Sequence, residues 1–501
     1  MSRMLCDKPL IGRSVTASQV CFTCKGRKKK CDKKMPQCGY CEQKDIDCCY
    51  DYGGESDLYQ PVMGISDSTL QYSSRKDLQA TAWETDHSYH QSSKILTQAI
   101  PITSLLDPVT LGATLSLEVM RIIQASHQST NGIGTRYFKG IHLWVPFFCP
   151  NRFQKDVVQF QTVPTAEFSL LLLCICLITY DPPQHQPPPV GRDALYLQAK
   201  TLFTHIQVLR RPSNQLIQAG IFISMYEYAH GRPDSALASI DIYARMAHKA
   251  GLHQKPERPG WSDGWNTWWA IRIFERIFYC ETTLTDLPLI TSAPEEMDLL
   301  PHEVGEGACE ESSKSSGQVA PVSLGGVGCL GRAAQAAYLL DQVIQTRRRT
   351  AATNQISSLI VLDSELQRLL FTTMNSCHGK RSGHCGAVGI SIRALFILHK
   401  HILRLDTTSV DSQWRKHSQA ALDTVTQMVV DIARSHRRIH NADVDIIAPS
   451  CSYVVRHALQ YLYEKRYADS NAWFLDSDTL RESLNKVNGR WPVEPGLSSD
   501  Y

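Results

Sequence analysis

Along most of this chain, apolar residues recur every three or four positions, and strict alternation of apolar and polar residues is scarce. That spacing lines one face of an α-helix. The pattern begins near residue 95 and predicts helices over 103–127, 166–180, 192–210, 214–230, 234–251, 264–283, 332–347, 355–374, 386–406, 414–437 and 450–467. About 400 residues of this kind are ample for a large buried core, so the region 95–501 is expected to be one all-helical domain. The most apolar run, FSLLLLCICLITY at 168–180, is 13 residues long. A bilayer span needs roughly 20, so the run predicts a fully buried helix, and no membrane partner is expected.

The pattern fails in three places. Residues 1–20 lack an apolar stretch of signal-peptide length and are expected to form a flexible tail. Residues 49–94 are rich in Ser, Asp, Gln and Tyr and read as a linker. No sustained a/d heptad follows, so no coiled coil is evident and a homodimer is left open. Residues 303–331, rich in Gly, Ser and Glu, read as a disordered insertion. Its glycines do not form a phosphate loop, since no strand precedes them and no G-K-[ST] follows.

One segment obeys a different rule. Cys21, Cys24 and Cys31 are spaced C-x2-C-x6-C, and Cys38, Cys41 and Cys48 repeat that spacing after a six-residue loop. A C-x2-C turn brings two thiolates to one ion, and structural zinc takes four ligands. Six thiolates supply three per half, so two zinc ions are satisfied if one cysteine of each half bridges the metals. The symmetry of the repeat makes Cys21 and Cys38 the natural bridges. A fully paired disulfide framework is excluded by the odd total of 17 cysteines. No histidine precedes position 87 to complete a mixed site. Cys6 and Cys49 fall outside the repeat and are expected to be bystanders. A second set, Cys377, His378, His384 and Cys385, offers ligand types, but adjacent Cys-His pairs suit tetrahedral geometry poorly.

Charge is unevenly placed in this module. Seven basic residues and one acid, Asp32, lie between Lys25 and Lys34, whereas CEQKDIDC in the second half has one lysine and three acids. A solvated run, an import signal or compensation of the thiolates would each account for some of that charge. The asymmetry further suits a module with one face toward DNA and the other buttressing it. The net charge of the whole chain is only +3, so affinity for DNA has to be local to the first 50 residues.

The spacing C-x2-C-x6-C-x6-C-x2-C-x6-C, with KGRKKKC between the second and third cysteines, Asp32 after the third and Pro36 before the fourth, resembles the Zn2Cys6 binuclear cluster of fungal transcription factors. The resemblance implies a small two-zinc module at 21–48 with two short helices, and a mostly α chain in which a linker and a large helical regulatory domain follow. It implies that a short helix after the second cysteine presents its basic end to a CGG-like triplet of double-stranded DNA. Lys28 would be the lead base-reading residue with Arg27 beside it, and Lys25, Lys29 and Lys30 would meet phosphate. Position 29, often apolar in the family, is lysine here, which leaves the assignment among Arg27, Lys28 and Lys29 open. ASIDIYARMAHKAGLH at 238–253 and WNTWWAIRIFERIFYCETTLTDLPLI at 265–290 resemble that family's middle homology region, although Asp286-Leu287-Pro288 stands where the family usually has glycine before the proline. In physical terms, Ala244, Ala247 and Ala250 allow close helix packing, Gly251 suits a helix C-cap, and Trp268, Trp269, Ile273 and Phe274 make a broad apolar face. Such a stripe is more often core than a ligand or partner pocket.

These readings lead to a zinc-dependent, sequence-specific transcription factor of a fungus, acting in the nucleus on RNA polymerase II genes with transcription co-regulators. By resemblance it is a pathway or secondary-metabolite-cluster regulator. The alternative is a ligand-sensing or scaffold protein brought to DNA, whose helical domain binds a small molecule or partner without activating. No enzyme fingerprint (H-E-x-x-H, G-x-S-x-G or a dinucleotide-binding glycine motif) occurs, so no catalytic residue is assigned.

Overall fold

The computed structural model describes residues 20–34, 37–44, 48, 107–181, 190–257, 262–283, 287–302, 318–319, 327–348, 352–376, 385–405, 412–465 and 472–493. Residues 1–19 of the expected tail, the linker at 49–94 and Cys377, His378 and His384 lie outside them. The chain divides into two compact units, an N-terminal one and one beginning at Glu84. Among the described residues both are built of helices, with no strand.

The N-terminal unit contains α1 (Phe22–Gly26) and α2 (Gly39–Gln43), five residues each. Helices this short are not stable alone. Among the described residues, the buried apolar cluster beside them is the cysteines themselves.

The second unit contains α3 (Pro108–Ala125), α4 (Thr130–Lys139), α5 (Pro150–Phe160), α6 (Ala166–Thr179), α7 (Arg192–Leu209), α8 (Asn214–Ala229), α9 (Pro233–Lys249), α10 (Asp263–Tyr279), α11 (Cys329–Arg348), α12 (Ala352–Ser376), α13 (Cys385–Arg404), α14 (Ser412–His436), α15 (Cys451–Lys465) and α16 (Ala472–Arg490). Each of the eleven predicted segments holds one of these helices. Three were not foreseen. In α4, TNGIGTRYFK has two glycines that weaken its helical signal. In α5 and α16 the buried stripe is narrow: only Phe153 and Val157 are buried in α5, and Leu480 and Val487 are the buried apolar residues of α16.

The apolar run is the hub. Twelve of the thirteen residues of FSLLLLCICLITY lie in α6, where every one of them is buried, and Tyr180 follows as its C-cap. Helices α3, α4, α5, α7 and α8 pack around α6. The crossing with α3 depends on Gly112, where an added Cβ would come 2.3 Å from the Pro164 carbonyl oxygen. The next layer, α8, is also buried, from Leu216 to Ala229, and packs on α9 and α10. There Gly220 lets the Tyr243 ring of α9 lie flat on α8, since a Cβ would sit 2.7 Å from it. Gly251 follows α9 at φ 75° and closes it.

Helix α13 is apolar and long enough to cross a membrane by length and composition, a feature the sequence reading passed over. Its neighbours α11, α12, α14 and α15 cover it instead. At its centre Arg393 donates to the Ile277 carbonyl at 3.0 Å, to Tyr228 at 3.1 Å and to Glu281 at 2.7 Å. A buried guanidinium with that many partners marks a core helix.

Of the segment expected as an insertion, Gln318 forms an antiparallel bridge with Leu299 and Val319 is fully buried. The last three residues of the segment, Cys329 to Gly331, are the first turn of α11.

Candidate metal centre and nucleic-acid interface

Both short helices start on a cysteine. Cys21 is the N-cap of α1 and its thiol accepts from the Cys24 N–H at 3.4 Å. Cys38 is the N-cap of α2, and its own N–H donates to the Cys48 sulfur at 3.3 Å. The C-x2-C spacing therefore turns the second thiol of each half back toward the first. The two turns face one another, with Cys21, Cys24, Cys38 and Cys41 fully buried.

The sulfurs form two overlapping sets of four: Cys21, Cys24, Cys31 and Cys38, and Cys21, Cys38, Cys41 and Cys48. Each set lies within 4.8 Å, and the shared members are Cys21 and Cys38. Four sulfurs bound to one zinc at about 2.3 Å lie about 3.8 Å apart. The sulfur separations are 3.7 Å for Cys21–Cys38, 3.7 Å for Cys21–Cys41 and 3.6 Å for Cys24–Cys38. Cys24 and Cys41, which share neither set, are 4.0 Å apart. The donor set, its count and its spacing fit two zinc ions.

The acidities are split in the same way. Burial pushes the Cys24 thiol up to about 12 and the Cys48 thiol up to about 11. At Cys38 burial acts in the same direction, but the Cys41 N–H and neighbouring thiols donate into it and hold it at about 6. Cys21 is lowered too, its burial outweighed by hydrogen bonds from Cys24, Cys48 and Cys41.

Asp32 holds the halves in register. Its carboxylate accepts from the Gly39 N–H at 3.1 and 3.2 Å and from the Lys34 N–H at 3.3 Å. Gly39 is the first residue of α2, so an acid meets a helix N-terminus there. A Cβ on Gly39 would stand 2.9 Å from that carboxylate.

The basic run is not itself helical. The resemblance implies a helix after the second cysteine. In the structure α1 starts just after the first cysteine, contains Cys24 and ends at Gly26, and most of the run follows it. Lys25 lies in the last turn and Arg27 is the C-cap. Lys28 takes a left-handed conformation, φ 52°. Its N–H donates to the Lys25 carbonyl at 3.2 Å, and the Lys29 N–H donates to Cys24 at 2.9 Å. That pair of bonds is the glycine-type helix stop, here built on lysine. Lys25, Arg27, Lys28, Lys29 and Lys30 are all exposed, so the structure gathers these five side chains at one helix end.

In the second unit, the tryptophan-rich patch is core: Trp268, Trp269, Ile273 and Phe274 are buried. The sequence reading missed the charges among them. Arg276 and Asp341, both 0% exposed, pair at 2.9 Å. Arg276 also meets Glu275 at 3.0 Å, and Arg272 meets Asp298 at 2.9 Å. The available signal was Arg272, Glu275 and Arg276, three charges inside an otherwise apolar helix.

Residues 19–52 match the fungal Zn(2)-Cys(6) binuclear cluster domain. Residues 135–281 match the fungal specific transcription factor domain, which runs from within α4 to just past α10 and includes the first middle patch and residues 265–281 of the second. Neither is an enzyme family. No curated protein and no solved structure matches the chain.

Proposed function

The chain is a fungal DNA-binding transcription regulator that carries two zinc ions in its Zn(2)-Cys(6) cluster domain, and from that premise we propose how it reads DNA. Cys21, Cys24, Cys31 and Cys38 hold one zinc, and Cys21, Cys38, Cys41 and Cys48 hold the other, with Cys21 and Cys38 bridging. Zinc supplies the folding free energy that two five-residue helices lack. The helix stop at Lys28 then projects basic side chains from a rigid base. Lys28, with Arg27 beside it, meets the O6 and N7 acceptors of guanine in a CGG-like triplet. Lys25, Lys29 and Lys30 neutralise phosphates and fix the register. The protein acts in the nucleus on RNA polymerase II genes. The second unit performs no catalysis and serves as the regulatory body that engages co-regulators.

The observation that carries this reading is the coincidence of two sulfur sets with five exposed basic residues on the cap of one short helix. The test is fluorescence anisotropy of the zinc-loaded chain on a duplex with a CGG triplet and on a scrambled duplex, before and after chelation. Tighter binding to the CGG duplex that vanishes with the metal is expected. Equal binding to both duplexes, or binding that survives chelation, would refute it.

A further inference from the structure

A cleft of about 370 Å³ opens on the second unit between α5 and the N-terminal turns of α6, α8 and α10. It lies within the residues matched to the fungal specific transcription factor domain. Its volume is that of a small-molecule site. The apolar wall is formed by the rings of Phe148, Phe160 and Phe168.

The polar groups decide what would fit. Arg152 and Asp263 pair with one another at 2.5 Å, which removes both from contention. Asp156 is left as the remaining charge. One of its oxygens accepts from Gln215 Nε2 at 3.1 Å, and its other oxygen has no protein donor. Burial raises its carboxyl above the ordinary range, outweighing the opposing pull of Arg152 and of the Gln215 hydrogen bond, so its charge is only partly compensated. Asn214 Oδ1 is buried without a partner. Gln218, 4% exposed, spends its Nε2 on Thr267 at 3.1 Å, which leaves its Oε1 as a further acceptor. The inner wall thus presents acceptors in excess of donors, beside aromatic rings. The formal charges of Arg152, Asp156 and Asp263 sum to −1.

We propose that this cleft is an effector site for a small organic ammonium ion, whose N–H groups meet Asp156, Asn214 and Gln218 and whose apolar body lies on the phenylalanine wall. The ion completes the acceptors and neutralises the cleft, and rings beside it add cation–π attraction. Three helix N-termini surround the site, and they would favour an anion. Their caps are occupied, by Thr165 for α6, Ser213 for α8 and Ser262 for α10. An anion would also have to approach Asp156. The inference is independent of how the cluster reads DNA, because it concerns binding to the second unit alone.

The test is calorimetric titration of the full zinc-loaded chain, without DNA, with 2-phenylethylammonium, the neutral 2-phenylethanol and the anionic 3-phenylpropanoate. The ammonium probe should bind at least about tenfold more tightly than either control. Asp156→Asn, nearly isosteric, should weaken it by about tenfold or more. Val163→Trp, at the exposed mouth of the cleft, should block it while leaving thermal unfolding unchanged. Absence of ammonium binding at millimolar concentration, preference for the carboxylate, equal affinity for the alcohol, or indifference to both substitutions would overturn the proposal. CGG-duplex binding measured on the same samples separates that failure from failure of the DNA reading.

Discussion

The Lys29 N–H donates to the Cys24 carbonyl at 2.9 Å, which ties the basic run to a zinc-site cysteine one helical turn away. Lys28 sits between them in a conformation that glycine adopts freely and other residues adopt at a cost of about 1–2 kcal/mol. The same pair of bonds closes α9, where the left-handed residue is Gly251. At the end of α1 the chain keeps lysine instead.

This separates two roles of Lys28. Lys28→Gly should relieve the backbone and stabilise the metal-loaded module by about 1 kcal/mol relative to Lys28→Ala. Both should lose the same DNA contact. Competition with a chelator measures module stability, and duplex titration measures the contact. A glycine variant that holds zinc no better than alanine would dismiss the strained cap.

The shared sulfurs yield the next expectation. Removing Cys21 or Cys38 leaves both sets one ligand short, whereas removing Cys24 leaves one set whole. Native mass spectrometry of Cys21→Ala and Cys38→Ala should show loss of both zinc ions, and Cys24→Ala should retain one. Equal loss in all three variants would demand a different ligand arrangement.

Lysines at the cap should differ in kind. A base contact discriminates by about 1–3 kcal/mol, while a phosphate contact adds affinity to any duplex. Lys28→Ala should compress the matched-to-mismatched ratio. Lys25→Ala or Lys30→Ala should weaken both duplexes alike and reduce the salt slope by about one unit. If Lys28→Ala lowers both affinities equally, base reading belongs to Arg27 or Lys29. If none of these changes the ratio, the run is an electrostatic anchor only.

Local chemistry was legible in the sequence and long-range chemistry was not. The six-cysteine spacing fixed the ligand count because each C-x2-C is a single turn. Gly251 was readable as a helix stop because the need for a left-handed residue is local. Lys28 was not, since lysine disguises the same geometry. Helices α6 and α10 showed their apolar content, yet Arg276 meets Asp341 across 65 positions, and no local period reports that. The cleft near Asp156 was invisible for the same reason: its walls come from four helices.

The buried pair should be the most sensitive point of the second unit. Arg276→Leu leaves Glu275 and Asp341 buried without their guanidinium, both at 0% exposure. Breaking such a pair from one side costs about 3–5 kcal/mol. Asp341→Asn should cost less, because Arg276 retains Glu275, the Arg272 carbonyl at 3.1 Å and the Ser292 carbonyl at 3.2 Å. Urea midpoints followed by far-ultraviolet circular dichroism check the order. A smaller loss for Arg276→Leu than for Asp341→Asn would show that the pair is not what secures α10 to α11.

Buried histidines contribute to the acid sensitivity of the same unit, together with the carboxyls of Asp298 and Asp363, which are held below their ordinary value. His457 is held down to about 3 by burial first and then by Lys400, Arg393, Arg456 and Arg404. Lys400 Nζ lies 3.0 Å from its Nδ1, which suits a neutral ring accepting the bond. Burial also lowers His230 to about 3, and His142 and His436 to about 4. Between these values and the ordinary value of 6.5 the unfolded chain binds more protons than the folded one. Stability contributed by these groups is therefore full above pH 6.5 and falls as pH drops from there toward about 3. His457→Asn keeps an acceptor near the Nδ1 position and removes the titration. The urea midpoint of the wild-type chain should fall steadily below pH 6.5, and that of His457→Asn should fall less steeply. Helical circular dichroism reports this, because α1 and α2, with five residues each, contribute little of the helical signal. Parallel slopes for the two proteins would mean that His457 is protonated alike in both states, and that the acid loss comes from other buried groups.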